Sequence, residues 1–439
     1  MPAATLTLPC EETPMRSWMI LLLVVPGLQA GQRTLTLREA VDLALRQNPE
    51  VVLARLDEQR AALEVQAVRE PLLPRLVVGS GLAYTSGMPM SIEGATPAVI
   101  QAKAVRTIWN RPQGYQVAQA RESARGAAAA AAAVREDAAL RVAALFLDLE
   151  RIVRQSESVE RQLEHLQKIE AAARLRAEEG RDAPIEARRA ALETARARLR
   201  LQQWASQRKA ASLALAHALG LDPSEAILPA REERPAPPLP PEEEASVAEA
   251  LRDDPEIRRL EAELAARHLE ARSFRAMRLP RFDLVAQYGL LAKFNNYDQF
   301  FNRFERHNGQ LGVSIQLPVF ANRQDEARAS QADIEARRLR TRIQDLRRRL
   351  ETDARRAWQK VRDAEAAREL ARMDLELARE QVSAVLAQVE EGRASLRQLE
   401  QARFQEQERW ILYYDAAHDL ELARLELLRR THSLLAALR

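Results

Sequence analysis

The chain has 439 residues, with 66 basic and 63 acidic side chains and a formal net charge of +3. The two signs are interspersed, which does not support nucleic-acid binding, since that needs basic residues concentrated on one face. Glycine is scarce at 14 residues and aromatic residues make up 5%, whereas Ala, Glu, Arg and Leu dominate. This composition is typical of long helices and coiled coils.

The first 30 residues are predicted to be a signal peptide. Arg16 supplies a positive charge ahead of a short apolar core, residues 18–25, which is too short to span a bilayer as a helix. If translation starts at Met15, residues 1–14 are an N-terminal overhang. The only cysteine, Cys10, precedes the apolar core. The mature chain is therefore predicted to have no disulfide, no cysteine–metal site and no lipid anchor on an N-terminal cysteine.

Two similar octapeptides, ALRQNPEV (44–51) and ALRDDPEI (250–257), indicate an internal duplication. They set a first offset of 206 (250 − 44), at which Leu-Pro-Arg also recurs, at 73–75 and 279–281. Further on, Glu-Gly-Arg at 179–181 recurs at 391–393, which sets a second offset of 212 (391 − 179). A period this long predicts a duplicated domain-sized unit rather than a solenoid. The predicted division is a first repeat (31–228), a proline-rich linker (229–245) and a second repeat (246–439).

Each repeat is predicted to contain two strands. In RFDLVAQYGLLAK (281–293), apolar and polar residues alternate, as they do in QLGVSIQLPV (310–319), which predicts strands with one apolar and one polar face. The first-repeat strands alternate less clearly and are placed by the first offset. The four predicted strands span about 75–86, 98–109, 281–293 and 308–320. Between the last two lies an aromatic-rich segment (294–304), which fits an interfacial girdle, a loop plug or simple loop packing.

Helices of unusual length are predicted after each strand pair. Residues 319–391 contain no Gly or Pro, and a helix of this length measures roughly 100 Å. The predicted hairpins span about 112–219, turning at Gly180, and about 322–438, turning at Gly392. Glycine suits a helix C-terminus because it adopts the left-handed conformation at little cost.

Four amphipathic strands cannot close a transmembrane barrel alone. Such barrels need at least about eight strands, and an open sheet edge cannot face lipid. Several chains can pool their strands. The sequence therefore predicts an oligomer with a β part in a membrane and a long helical part outside it. A signal peptide followed by strands indicates a bacterial outer membrane.

The chain resembles the TolC-type outer-membrane efflux family over essentially all of its mature length. The resemblance rests on both ALxxNPE-like openings, both Leu-Pro-Arg strand entries, the strand-to-helix passage QLPVFANRQDEARASQA (316–332) and the glycine turn in EEGRASLRQLEQA (390–402). It implies a mainly α fold with a small β part, in which a homotrimer forms an α-helical tunnel and a shared 12-stranded β-barrel. It also implies a passive export duct that docks an inner-membrane pump through a periplasmic adaptor.

Functional residues are expected at the two glycine turns. If these turns form the periplasmic mouth, their charged residues repeat around the axis of an oligomer and set the electric field at the entrance. The alternative is a solvated helix tip with ordinary surface charge. The residues expected at the tip are Glu178, Glu179, Gly180, Arg181, Glu390, Glu391, Gly392 and Arg393. Glu380 is expected to form a constriction ring, by its place in the family pattern.

No catalytic, cofactor or metal motif is present in the sequence. The six histidines are scattered, without an HExxH pattern, and there is no phosphate-loop lysine motif. We therefore expect no enzyme activity and no cofactor. The competing hypothesis is a periplasmic coiled-coil scaffold or adaptor without a pore, which would not need the alternating segments.

Overall fold

A computed structural model describes residues 33–81, 98–181, 183–223, 225–232, 234–291, 305–319 and 323–438. The predicted signal peptide and the aromatic segment 294–304 lie outside the described residues. The described part is mainly helical with a small sheet component, which confirms the predicted fold class.

The elements of the first half of the chain end with a short strand that precedes the linker. In chain order they are β1 (Arg33–Leu35), α1 (Leu37–Gln47), α2 (Pro49–Arg69), a 3-10 turn (Glu70–Leu72), β2 (Arg75–Gly81), β3 (Ala98–Trp109), α3 (Arg111–Glu178), α4 (Pro184–Leu219) and β4 (Ile227–Pro229).

The second half repeats this order from α1 onwards. Its elements are α5 (Glu243–Arg252), α6 (Pro255–Ala276), β5 (Arg281–Leu291), β6 (His307–Gln316), α7 (Arg323–Glu390), α8 (Leu396–Arg430) and α9 (Leu434–Ala437). The long helices α3 and α7 each contain 68 residues, and they begin and end at equivalent positions under the second offset. The flanking helices α2 and α6 begin at equivalent positions under the first offset.

One observed strand, β6, is shorter than predicted. β2 is described as far as Gly81 and β5 as far as Leu291, and the rest of these two predicted segments lies outside the described residues. β6 ends at Gln316 rather than near 320. Pro318 lacks the N–H that would continue the ladder, so residues 317–319 leave the sheet. β3 spans residues 98–109, the range of the prediction.

The second helical hairpin also ends earlier than predicted. α8 stops at Arg430, not at 438, because His432 adopts a left-handed conformation (φ 56°) that breaks the helix before the short α9. The predicted linker 229–245 is shorter as well, since α5 already begins at Glu243. The sequence did not predict the two-stranded parallel sheet in which β1 pairs with β4.

The long helices lie side by side with pairs of shorter helices. α3 packs against α2, α4, α6 and α8, and α7 packs against α5, α6 and α8. α6 and α8 thus contact both long helices, whereas α2 and α4 contact only α3 of the two. At 1.5 Å per residue, each long helix measures roughly 100 Å.

The main hydrophobic core lies near the middle of α3. Phe146 and Leu149 are fully buried there against Leu215 and Leu219 of α4 and Ile227 of β4. The linker is fixed to the same region, because Arg234 forms ion pairs with Glu150 (2.6 Å) and Glu421 (3.1 Å). Both the core and the linker thus hold the helices together at mid-height.

In the first repeat, α2 and α4 meet end to end at a neutral junction. The Asn48 side chain accepts hydrogen bonds from the backbone N–H groups of Glu50 (2.9 Å) and Val51 (3.3 Å) and so caps α2. Its amide group donates to the carbonyl of Ala218 at the end of α4 (2.7 Å). Gly220 ends α4 with φ +71°, and a methyl group placed on it would lie 2.5 Å from the carbonyl oxygen of Gln47.

In the second repeat, α6 and α8 meet at a charged junction. Asp254 caps α6 by accepting from the N–H of Ile257 (2.7 Å). His432 lies between two carboxylates, with Nε2 3.3 Å from Asp254 and Nδ1 3.0 Å from Glu136. Burial of the imidazole lowers its pKa, but both ion pairs outweigh this and raise the pKa of His432 to about 9. The octapeptide repeat therefore marks the two points where shorter helices stack end to end.

Candidate functional site

The four-stranded sheet has one apolar and one polar face. Its strands run antiparallel in the order β2-β3-β5-β6, so β3 and β5 join the two halves of the chain. Leu284 pairs with Val313 and Ala286 with Leu311 on the apolar face. Large apolar side chains on this face are strongly exposed: Leu76 67%, Val78 64%, Leu311 76%, Val313 57% and Ile315 63%.

The opposite face of the sheet is polar and internally bonded. Thr107 and Asp283 pair across β3 and β5, and the threonine hydroxyl donates to the aspartate carboxylate at 2.7 Å. Arg281 forms an ion pair with the same carboxylate at 2.7 Å. Lys103 and Gln287 are paired further along the strands. A sheet with this division of faces suits a position between lipid and water.

Both outer edges of this sheet are unpaired within the described residues. β2 pairs only with β3, and β6 only with β5, so each outer strand presents a row of free backbone groups. Free edges are tolerated in lipid only when another strand closes them.

The two glycine turns have the same backbone geometry. Gly180 (φ +71°) and Gly392 (φ +73°) are left-handed, and an added methyl group at either position would meet no atom within 4 Å. The next residue closes each helix end: the N–H of Arg181 donates to the carbonyl of Arg176, and that of Arg393 to the carbonyl of Gln388, both at 2.8 Å. Glycine is thus required here by conformation, not by space.

The charged residues predicted for the tips are all exposed, and each turn pairs its own charges. Arg181 lies 3.3 Å from Glu179, and Arg393 forms an ion pair with Glu391. Glu178 pairs with Arg174 at 3.0 Å, one helical turn back. Such exposed pairs contribute little to stability, so the tips are free to exchange partners.

The structure brings the starts of α4 and α8 together, which the sequence did not predict. Partial burial raises the pKa of the Glu400 carboxyl, and the negative charge of Glu186 raises it further. The guanidinium group of Arg200 lies 5.6 Å from the ring centroid of Phe404. These residues carry no motif, and only the docking of the two hairpins reveals them.

Glu380 is exposed on α7, about 15 Å from the end of the helix. Within the described residues it forms no ion pair or side-chain hydrogen bond, so its carboxylate is available to other groups. None of the helices in the described ranges is long and apolar enough to cross a membrane. Over the same ranges, no cluster of three or more His, Cys, Asp or Glu side chains could hold a metal ion.

Comparison with known proteins shows what the chain is similar to. Residues 247–438 match the family model of outer membrane efflux proteins. No curated protein sequence matches the chain. Among similar solved structures is the Campylobacter jejuni CmeC outer membrane channel, with a TM-score of 0.73 and 14% sequence identity over 91% of this chain and 86% of that one. The outer membrane protein VceC of Vibrio cholerae has a TM-score of 0.68 and 16% identity, and the match covers 92% of this chain and 95% of VceC. The open-state MtrE outer membrane channel of Neisseria gonorrhoeae has a TM-score of 0.69 and 17% identity, and the match covers 91% of this chain and 89% of MtrE.

The chain therefore shares the fold of these three outer-membrane proteins over about nine-tenths of its length. The family match over the second repeat and the shared fold together confirm the resemblance to the TolC-type family.

Proposed function

We propose that the protein is the outer-membrane channel of a tripartite efflux or type I secretion system. Three copies pool their four strands into a 12-stranded barrel in the outer membrane, and their helices form a tunnel in the periplasm. The observation that carries this proposal is a sheet with an exposed apolar face and two edges that are unpaired among the described residues, at one end of helices roughly 100 Å long.

The duct itself is passive, and an inner-membrane pump connects to it through a periplasmic adaptor. The adaptor contacts the exposed turns at residues 178–181 and 390–393, where Arg181 pairs with Glu179 and Arg393 with Glu391. Glu380 narrows the tunnel as a ring of three carboxylates. No step of this function needs an enzyme site or a cofactor. Residues 31–228 and 246–439 act as two copies of one structural unit, joined by the 229–245 connector.

Fractionation of cells that express the full chain tests the proposal. We expect the protein in the outer membrane and, after detergent extraction, as a complex of three chains. A soluble monomer in the periplasm would contradict the proposal and favour the scaffold alternative. That alternative leaves the exposed apolar face of the sheet without a function.

The constriction role of Glu380 has a separate test. Replacement Glu380→Gln removes three charges from the ring, and we expect a lower preference for cations in reversal-potential measurements. Glu64→Gln makes the same charge change on α2, far from the tips, and should leave ion selectivity unchanged. Equal shifts in both variants would contradict a ring at Glu380.

A further inference from the structure

The apolar face of the four-stranded sheet carries a positive charge. Residues that pair directly across antiparallel strands point to the same face of a sheet. Arg106 of β3 pairs with Leu284 of β5, and Leu284 pairs with Val313 of β6, both of which are exposed on the apolar face. Among the described strand residues of this sheet, Arg106 is the only Asp, Glu, Lys or Arg on that face.

The guanidinium group of Arg106 has no partner in the described part of the chain. The residue is exposed, and neither an ion pair nor a side-chain hydrogen bond joins it to another described residue. Asp283 is the only carboxylate within the described strands, and its side chain lies on the opposite face, where Thr107 and Arg281 contact it. The sheet thus presents an unpaired cation on a surface that is otherwise apolar.

Two aromatic pairs mark the ends of the apolar face. At the end that joins the long helices, Trp109 packs edge-on against Phe282 with ring centroids 5.7 Å apart, and α3 begins two residues later. At the other end, the hydroxyl of Tyr288 lies 2.7 Å from Nδ1 of His307. Aromatic side chains flank the apolar band of membrane sheets at both interfaces, so these pairs indicate where the band begins and ends.

Arg106 lies near the helix end of this band. Phe282 and Tyr288 are six residues apart on β5 (288 − 282), which is roughly 20 Å of strand. Leu284, the strand partner of Arg106, is two residues from Phe282, or roughly 7 Å. A charged side chain is costly in the middle of a bilayer but is tolerated near the interface, which a long side chain can reach. The depth of Arg106 therefore suits a contact with lipid headgroups.

Next to Arg106, on the side away from the helices, the apolar face is shallow. The adjacent row of paired residues crosses all four strands and consists of Leu76, Ala104, Ala286 and Leu311. The two central alanines project less than the strongly exposed leucines on either side of them. This row has room for part of an acyl chain, but the unpaired charge is what selects the headgroup.

We propose that Arg106 binds the phosphate group of an anionic phospholipid in the leaflet of the outer membrane that faces the periplasm. The planar guanidinium group matches two phosphate oxygens, and the acyl chain covers Ala104 and Ala286. Arg111 and Arg278 lie at the same end of the sheet, are exposed and form no ion pair with a described residue, which favours an anionic headgroup over a zwitterionic one. The proposal rests on the membrane position of the sheet proposed above and adds a lipid ligand.

The polar face supplies a matched control residue. Lys103 is exposed on the same strand, three residues before Arg106, and it pairs with Val77 and Gln287 on the polar face. Neutralising Lys103 removes the same charge from the same strand but on the side that faces away from lipid. The two residues thus separate a lipid contact from a general effect of charge.

Native mass spectrometry of the detergent-solubilised full chain measures lipid binding to the assembled complex. The probes are phosphatidylglycerol and phosphatidylcholine with the same acyl chains, titrated separately. We expect wild type to bind the first phosphatidylglycerol molecules, one per chain, about fivefold more tightly than Arg106→Gln does, because one basic contact with the anionic lipid is lost. Phosphatidylcholine should bind both proteins equally, because its choline group already neutralises the phosphate.

The control variants separate the site from other causes. Lys103→Gln should bind phosphatidylglycerol as wild type does. Arg106→Lys should fall between wild type and Arg106→Gln, since an ammonium group binds phosphate as a point charge without the planar fork. If Arg106→Gln does not assemble, Arg106→Leu, which suits an apolar face, serves for the same measurement.

Three results would overturn the proposal. The first is equal affinity for phosphatidylglycerol in wild type, Arg106→Gln and Arg106→Leu. The second is an equal loss in Lys103→Gln, which would indicate a general charge effect. The third is displacement of the lipid by soluble glycerol phosphate, which would mean that the residue recognises phosphate alone.

The mass of the protein distinguishes failure of this site from failure of the channel proposal. A complex of three chains that binds both lipids equally would sink the lipid site and leave the channel proposal standing. A wild-type protein that is a soluble monomer without bound lipid would contradict both.

Discussion

The two end-to-end helix junctions solve one structural problem with different chemistry. In the first repeat, the neutral Asn48 side chain joins α2 to α4, and Gly220 supplies the left-handed turn. In the second repeat, the equivalent positions are Asp254 and His432, which form a buried ion pair. The same left-handed backbone turn thus occurs at a glycine in one repeat and is stabilised by ion pairs in the other. Only the second junction should respond to pH.

The largest expected effect comes from removal of the histidine. His432→Ala leaves the buried carboxylate of Asp254 without its ion-pair partner, leaves Glu136 with Arg429 alone, and keeps a non-glycine residue in the left-handed conformation. We expect the free energy of unfolding to fall by about 4 kcal/mol, because an uncompensated buried charge is costly. Denaturant titration of the detergent-solubilised protein measures this change.

His432→Gly is the matched control for that variant. Glycine restores conformational freedom at φ 56° but not the ion pairs. The free energy of unfolding of His432→Gly should therefore be about 1 kcal/mol higher than that of His432→Ala. If both variants unfold like the wild type, the ion pairs do not stabilise this junction.

The next largest effect is expected at the neutral junction. Gly220→Ala places a methyl group 2.5 Å from the Gln47 carbonyl oxygen in a left-handed conformation. The strain and the clash together should lower the free energy of unfolding by about 3 kcal/mol. Gly392→Ala has the same conformation without the clash and should lose only about 1 kcal/mol. Equal losses would mean that Gly220 has room for a side chain.

The pH dependence of stability should separate the two junctions. The pKa of His432 is raised from 6.5 to about 9, so its stabilising contribution is complete below pH 6.5 and is lost as the pH rises towards 9. We expect a loss of roughly 2 kcal/mol between pH 6 and pH 8 that is absent in His432→Gly. The facing groups are Glu136, Asp254 and Arg429.

Asp254, the acidic partner of His432 in this junction, should make stability depend on pH in the opposite direction. The pKa of Asp254 is lowered because its contacts with His432 and Ile257 outweigh the effect of burial. Its contribution is therefore present above about pH 4 and is lost as the pH falls. A pH profile without any difference between wild type and His432→Gly would contradict the ionic account of this junction.

The smallest effect is expected for Asn48→Ala. This change removes the cap of α2 and the bond to Ala218, which together should be worth about 1 kcal/mol. Asn48→Asp keeps the cap but places a buried carboxylate oxygen against the Ala218 carbonyl oxygen, so it should be destabilised by more than the alanine variant. A smaller loss for Asn48→Asp would show that the cap matters more than the contact with α4.

Much of this architecture could be predicted from the sequence, because the two repeats can be aligned with each other residue by residue. The first offset located β2 and β3, in which apolar and polar residues alternate only weakly. The glycines at the ends of the long helices located both tips. The end of α8 could not be predicted, because His432 breaks the helix through ion pairs with Glu136 and Asp254, which are remote in the sequence. The β1–β4 sheet was missed because three-residue strands carry too little periodicity.

The candidate site was predictable in composition but not in arrangement. The tip residues follow from Gly180 and Gly392, whereas the approach of Glu186 to Glu400 depends on how the two hairpins dock. No local pattern encodes such docking.

Conductance in planar lipid bilayers tests the central claim, that several copies pool their strands into an open duct, most directly. Purified wild-type protein should produce discrete, stepwise current increments, each from one inserted complex. A protein that inserts as assembled complexes but never carries current, or that leaves the bilayer silent at every concentration, would contradict the account.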